Sequence, residues 1–236
     1  MNRRAFLGLA TAASLLSGCG GRDRTLRYRL AIQVQIGGRI HSGSTVNEVT
    51  WTVGALHLLP PAGWNTQTDA GAVTIDLGKA GLLFGLINPP AGLRPGFQAT
   101  QVDAVFNRLL PPAQVTADAL QSGAIVDDYF AFLHGARRLI RQDWPVLVRF
   151  RDPHDCRTVE LVDPELMRLH YGDGARVLGA TLEITDDPVT HTIQQTLPWL
   201  AGLKGALLPT QSQFLEADDR RVAPRLTSRN FVIVDE

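Results

Sequence analysis

Lysine is nearly missing from this chain: of 23 basic side chains only Lys79 and Lys204 are lysines, and the rest are arginines. An excess of either charge is missing too, since 23 Asp+Glu balance them. Without a basic surplus there is no electrostatic footprint for non-specific nucleic-acid binding, and no nucleic-acid partner is expected. Cysteine is limited to Cys19 and Cys156, which excludes a disulfide framework. The six histidines (His41, His57, His134, His154, His170 and His191) lack the i to i+4 pairing of a helical zinc site, and no cysteine cluster accompanies them. No metal ion and no cofactor is therefore expected. Nucleophile-elbow, Walker-loop and dinucleotide-binding motifs are also lacking, so no catalytic residue is assigned. The acidic pairs Asp127-Asp128, Asp186-Asp187 and Asp218-Asp219 do not have calcium-loop spacing and read as turns and caps.

What is present is an ordinary globular composition, 44% hydrophobic and 19% charged over 236 residues. A chain of this length buries enough of its surface to hold one domain without cross-links.

The N-terminus carries an address. Arg3 and Arg4 precede fourteen uncharged residues, Ala5 to Gly18, and then Cys19. Fourteen helical residues reach only about 21 Å, short of the ~30 Å hydrocarbon core, so the segment reads as an export signal and not a spanning helix. Leu16-Ser17-Gly18-Cys19 resembles the bacterial lipoprotein lipobox, which implies acylation of the Cys19 thiol, palmitate included, and cleavage before it. Arg3-Arg4-Ala5-Phe6-Leu7 also resembles the twin-arginine export motif, though Asn2 and Gly8 depart from it, and a general secretory route stays open. At ~0.8 kcal/mol per buried methylene, several acyl chains make a stable membrane anchor. Gly20, where some lipoproteins carry an inner-membrane retention Asp, points to the outer membrane, facing the periplasm. The organisation expected is a signal peptide over 1–18, a lipidated tether over 19–25 and one β-rich domain over 26–236, with 88–144 the least patterned stretch. Arg22, Arg24, Arg27 and Arg29 crowd the junction, either touching lipid phosphates or solvated on the outer face of a strand.

Leu26, Tyr28, Leu30, Ile32, Val34 and Ile36 alternate with Arg27, Arg29, Gln33 and Gln35, which predicts a half-buried strand closed by a Gly37-Gly38 turn. A second strand follows over 44–53, with a bulge near Asn47-Glu48 to reconcile Val46 with Val49 and Trp51. A hairpin is predicted over 72–77 and 82–87, and further strands over 146–150, 158–162, 176–184 and 230–234. Val102, Val105, Phe106 and Leu109 have helical spacing before Pro111-Pro112, and 125–140 has a weaker helical pattern. Asp163-Pro164-Glu165 caps a short helix ending at Gly172, and 190–197 reads as another stopped by Pro198. Pro-Pro-Ala at Pro60, Pro89 and Pro111 reads as turns, and NPPAGLRPGF over 88–97 as a surface connection or docking strip. The fold class expected is α+β: a β-rich single domain of antiparallel sheets with a few short helices.

Only Arg151-Asp152-Pro153-His154-Asp155-Cys156 brings a thiol and an imidazole close in sequence. A cysteine nucleophile needs a base within hydrogen-bond reach, whereas Pro153 and the flanking aspartates suit a turn. The segments LRYRLAIQVQIGGRIHSGSTVNEV, WPVLVRFRDPHDCRTVELVDPELMRLHYGDG and TLEITDDPVTHTIQQTLPWL together resemble a group of uncharacterised proteobacterial lipoproteins. The resemblance implies the same anchored architecture and assigns no catalytic residue. The function expected is a lipid-anchored envelope module, non-enzymatic, that binds a protein, glycan or lipid partner or serves in assembly beside the membrane. The alternative is an envelope hydrolase or transferase with an unrecognised site.

Overall fold

The computed structural model describes residues 22–53, 65–90, 93, 102, 105, 134–208 and 222–234. Arg3, Arg4, Leu16, Ser17, Gly18, Cys19, His57, Asp127-Asp128, Asp218-Asp219 and most of the 102–109 helix lie outside these residues. The ten strands among them are β1 Arg22–Ile36, β2 Arg39–Val53, β3 Asn65–Gly71, β4 Val73–Asp76, β5 Leu82–Gly85, β6 Ala136–Arg138, β7 Leu147–Phe150, β8 Val159–Val162, β9 Arg176–Ile184 and β10 Val232–Val234. They form a six-stranded sheet in the order β10-β3-β2-β1-β9-β6 and a four-stranded sheet in the order β4-β5-β7-β8, antiparallel throughout. Among the described residues the fold is completed by two single-turn helices, α1 Arg168–Tyr171 and α2 Thr192–Thr196, by several 3-10 turns, and by Val102 and Val105, helical as their spacing predicts and buried in the first core. The expected β-rich α+β class, with antiparallel sheets and few short helices, is the observed one.

The alternation in β1 explains the layering. Tyr28, Leu30, Ile32 and Val34 are buried and face the four-stranded sheet, where Val73, Ile75, Leu83, Leu147 and Val162 meet them. The opposite face of that second sheet carries Phe84, Val148, Phe150 and Val159, covered by Ile193, Leu197, Leu200, Leu226 and Phe231. Phe150 stands at the centre of this second core, its ring 5.6 Å from Phe84, 5.5 Å from Trp199 and 5.8 Å from Phe231. Each such fully buried side chain contributes ~1.5–3 kcal/mol. Only one face of the six-stranded sheet is packed against the other sheet, and its outer face carries Arg27, Arg29, Gln33, Ser42, Ser44 and Thr181.

Three expectations need correction. β1 and β2 pair without interruption, Tyr28 opposite Asn47 and Arg29 opposite Val46, so there is no bulge at Asn47-Glu48. Both faces of β2 are buried there: Asn47 faces the core and Val46 the other side, which is why the alternation looked broken. The irregularity in register lies instead between β1 and β9, at Leu178. The end of the 125–140 pattern is the edge strand β6 and not a helix, the part before His134 lying outside the described residues. The helix predicted over 190–197 is present as α2 and ends before Pro198, Leu197 leaving helical geometry and Pro198 opening a separate 3-10 turn, Pro198–Ala201. Finally, β1 starts at Arg22, so the sheet takes up Arg22–Thr25 of the expected tether. The Asp163 cap is present, its carboxylate accepting from the Glu165 amide at 2.9 Å, but the helix it opens is regular only over α1.

Candidate functional site

A trough of about 390 Å³ lies on the outer face of the six-stranded sheet, within the size range of small-molecule sites. Its floor is made mainly of small side chains because three strands, β1, β2 and β9, place them there. Ala31 on β1 sits opposite Ser44 on β2 and Thr181 on β9, and Gln33 opposite Ser42 and Gly179. Arg138 on β6, paired at Thr181, and Arg29 on β1 form the walls.

The two arginines are held differently. Arg29 Nη1 donates to Glu183 at 3.0 Å and its other terminal nitrogen bonds Asp187, so two carboxylates more than offset its charge. Arg138 Nη2 donates to the Leu178 carbonyl at 2.9 Å, and no carboxylate among the described residues pairs with it. Leu178 is the extra residue of the β1–β9 irregularity, which turns its carbonyl out of the ladder toward Arg138. Gly179 completes the seat: a Cβ there would stand 3.3 Å from Arg138 Nη2 and 3.4 Å from Nε, so glycine leaves room for the guanidinium on the strand. Sequence reasoning missed this site because Arg138 and Gly179 are forty-one residues apart. The legible trace was the run of small outward positions at Ala31, Ser42 and Ser44.

The sequence-nominated thiol and imidazole are not brought together. Residues 151–155 form a turn in which the His154 amide donates to Asp152 Oδ1 at 2.9 Å and the exposed imidazole has no described partner. Cys156 turns inward, its thiol donating to the Leu207 carbonyl at 3.4 Å and packing at the edge of the second core. Burial, aided by the Asp155 charge, raises its pKa, the opposite of what a nucleophile needs. Asp155 itself is spent on Arg157, whose hydrogen bonds hold the carboxyl at about 2.

Among the described residues, a dense set of titratable groups lies between β7, β8 and α1. Glu160 Oε2 accepts from Arg149 at 2.7–2.8 Å, Oε1 pairs with Arg151 at 3.1 Å, and His170 Nδ1 stands 3.9 Å away. The Arg149 guanidinium lies 5.6 Å above the Tyr171 ring, and burial lifts that phenol to about 12. With both carboxylate oxygens committed to arginines and no nucleophile beside them, this cluster is a clasp between a strand pair and a helix. The arginines at the start of β1 are likewise engaged: Arg27 pairs with Glu48 at 2.7 Å and Arg29 with Glu183 and Asp187. Of the two readings of these arginines, Arg27 and Arg29 follow the one on the outer strand face. Asp187 thus balances an arginine. Among the described residues no three His, Cys, Asp or Glu side chains are grouped to hold a metal ion, and no helix is long and apolar enough to cross a membrane. Comparison with models of known protein families, with curated proteins and with solved structures finds no match to this chain.

Proposed function

We propose that the protein is a lipid-anchored module of a bacterial cell envelope, tethered through Cys19 on the periplasmic side of the outer membrane, that works by binding and not by catalysis. The observation that carries this reading is the order basic start, short apolar run, Leu16-Ser17-Gly18-Cys19, followed at once by a folded sheet. Only Gly20 and Gly21 separate Cys19 from β1, a reach of about 10 Å, so an acylated Cys19 holds the domain against the bilayer. The likeness of three segments to uncharacterised proteobacterial lipoproteins supports the same address. The binding face is assigned to the trough between Arg29 and Arg138, a formed and polar concavity with no catalytic constellation beside it.

The test is intact mass and membrane fractionation of the full chain expressed in a bacterial host, beside Cys19→Ser. The expected result is a mature mass beginning at Cys19 with acyl chains added, in the membrane fraction, and its loss in the variant. A full-length, unmodified, soluble wild type would overturn the anchor.

A further inference from the structure

Resting on the reading of the trough as the binding face, we infer that it takes the phosphate group of a soluble, polar phosphoester, with Arg138 as the charged donor and Ser42, Ser44 and Thr181 as hydroxyl donors. Three features converge on this ligand. The first is charge: the lining contains two arginines and no acid; Glu183 and Asp187 outweigh Arg29 at its end of the trough, so the positive charge open to a ligand is at Arg138, which no carboxylate among the described residues pairs. The second is organisation. The guanidinium is pinned by the Leu178 carbonyl and seated over Gly179, so its remaining N–H donors are fixed before a ligand arrives and little side-chain entropy is lost on binding.

The third is the arrangement of donors. Arg138 approaches from β6 and the two serine hydroxyls from β2, on opposite sides of β1 and β9. A planar carboxylate presents its two oxygens along one edge and is satisfied by one arginine fork. A tetrahedral phosphate presents oxygens in several directions and uses donors from both sides of the trough. Lipid headgroups are disfavoured as its source by position, since Ala31 and Gln33 lie about 30 Å along β1 from Arg22, the end nearest Cys19. The small floor accommodates the rest of a polar ligand, and the lack of an aromatic lining argues against a stacked sugar or base.

The experiment is a titration of the purified full chain in neutral detergent, following the Arg138 Nε–H resonance and the Gly179 and Thr181 amides by NMR at fixed ionic strength. The probes are inorganic phosphate, glycerol 3-phosphate and, as a planar control, acetate. Saturable shifts are expected with the phosphates and at least tenfold weaker ones with acetate. Arg138→Gln, on an exposed edge strand, should fold normally and weaken phosphate binding at least tenfold, because a charge-assisted bond is lost. Gly179→Ala keeps the charge but displaces the guanidinium, and should weaken binding severalfold. Absence of saturable phosphate binding to folded protein, equal affinity for acetate, or wild-type binding by Arg138→Gln would each overturn the inference. Arg138-dependent binding to phosphatidylglycerol vesicles without binding of the soluble probes would overturn the assignment to a soluble ligand. The anchor is tested separately, so acylated Cys19 in a protein indifferent to phosphate removes the ligand and leaves the address standing.

Discussion

Gly43 lies where β4 crosses the inner face of β2, and a Cβ there would come within 2.0 Å of the Thr74 carbonyl oxygen and 2.8 Å of Ile75 Cγ1. Backbone cannot retreat from such a contact as a side-chain tip can, so Gly43→Ala should cost at least ~2 kcal/mol. Gly202→Ala is the control, with open space around it and a negative φ, and should be neutral or slightly stabilising. Urea denaturation followed by tryptophan fluorescence measures both. A second residue-scale prediction concerns Asn47, fully buried, whose Oδ1 accepts from the Gly71 amide at 2.9 Å and the Thr45 hydroxyl at 3.3 Å while Nδ2 donates to the Tyr28 hydroxyl at 3.4 Å. Burial holds that phenol protonated well above its usual pKa, so the hydroxyl is a fixed member of the network. Asn47→Ala strands several buried groups and should destabilise by about 3 kcal/mol, against about 1 kcal/mol for Tyr28→Phe. Cys156 gives a third: its raised pKa and inward bond predict slow alkylation at pH 7.5 in the folded state and rapid alkylation in urea, and Cys156→Ser should leave the fold intact.

At the scale of elements, α1 is tied to β7 and β8 through the Glu160 clasp, and His170 reports on it. Burial first, and the Arg149 charge second, lower the His170 pKa, with Glu160 opposing. The unfolded imidazole binds its proton near 6.5 while the native one binds it only at lower pH. Stability from this group is therefore complete above pH 6.5 and declines as pH falls from there through the native value. His170→Gln should flatten that decline, measured as urea midpoints between pH 7 and 5. How legible these elements were follows the same physics. β1, β7, β8 and β9 announce themselves because one or both faces are apolar, so their patterns are strong. β3, NTQTDAG, has almost no apolar alternation and is a strand because β2 and β10 flank it. β6 is three residues long and owes its form to pairing with β9, which no local pattern encodes. The trough combines these hidden elements: its floor is on readable strands, but its charged wall stands on β6 and its seat is the Leu178 irregularity.

For the whole molecule, the geometry of the β1–β2 hairpin sets how an anchored domain would stand. β1 is fifteen residues long, about 50 Å at ~3.3 Å per residue. It begins beside Cys19 and ends at the Gly37-Gly38 turn, where Ile40 is 65% exposed. A lipidated Cys19 fixes only one end of this rod, leaving two attitudes: upright, with the turn remote from the bilayer, or lying flat on the outer sheet face. The flat attitude would press the trough against lipid and bring Arg27 and Arg29 to the headgroups, yet both are already paired with carboxylates, and Gln33, Ser42, Ser44 and Thr181 offer no apolar surface to insert. Arg138 is the one cation of the trough without a carboxylate among the described residues, worth only about 1 kcal/mol at an anionic surface. The remaining paired or polar side chains give the membrane little to hold, since surface attraction needs several unpaired cations or buried apolar area. The upright attitude is therefore expected, with the trough open to solutes. It is tested by single fluorescent labels at Thr25→Cys and Ile40→Cys, in a Cys156→Ser background, on lipidated protein in vesicles carrying a headgroup quencher. The label at residue 25 should be quenched strongly and the one at residue 40 scarcely at all. Equal quenching at both would mean that the sheet lies on the membrane and that the trough faces lipid, which would also undo the assignment of a soluble ligand to it.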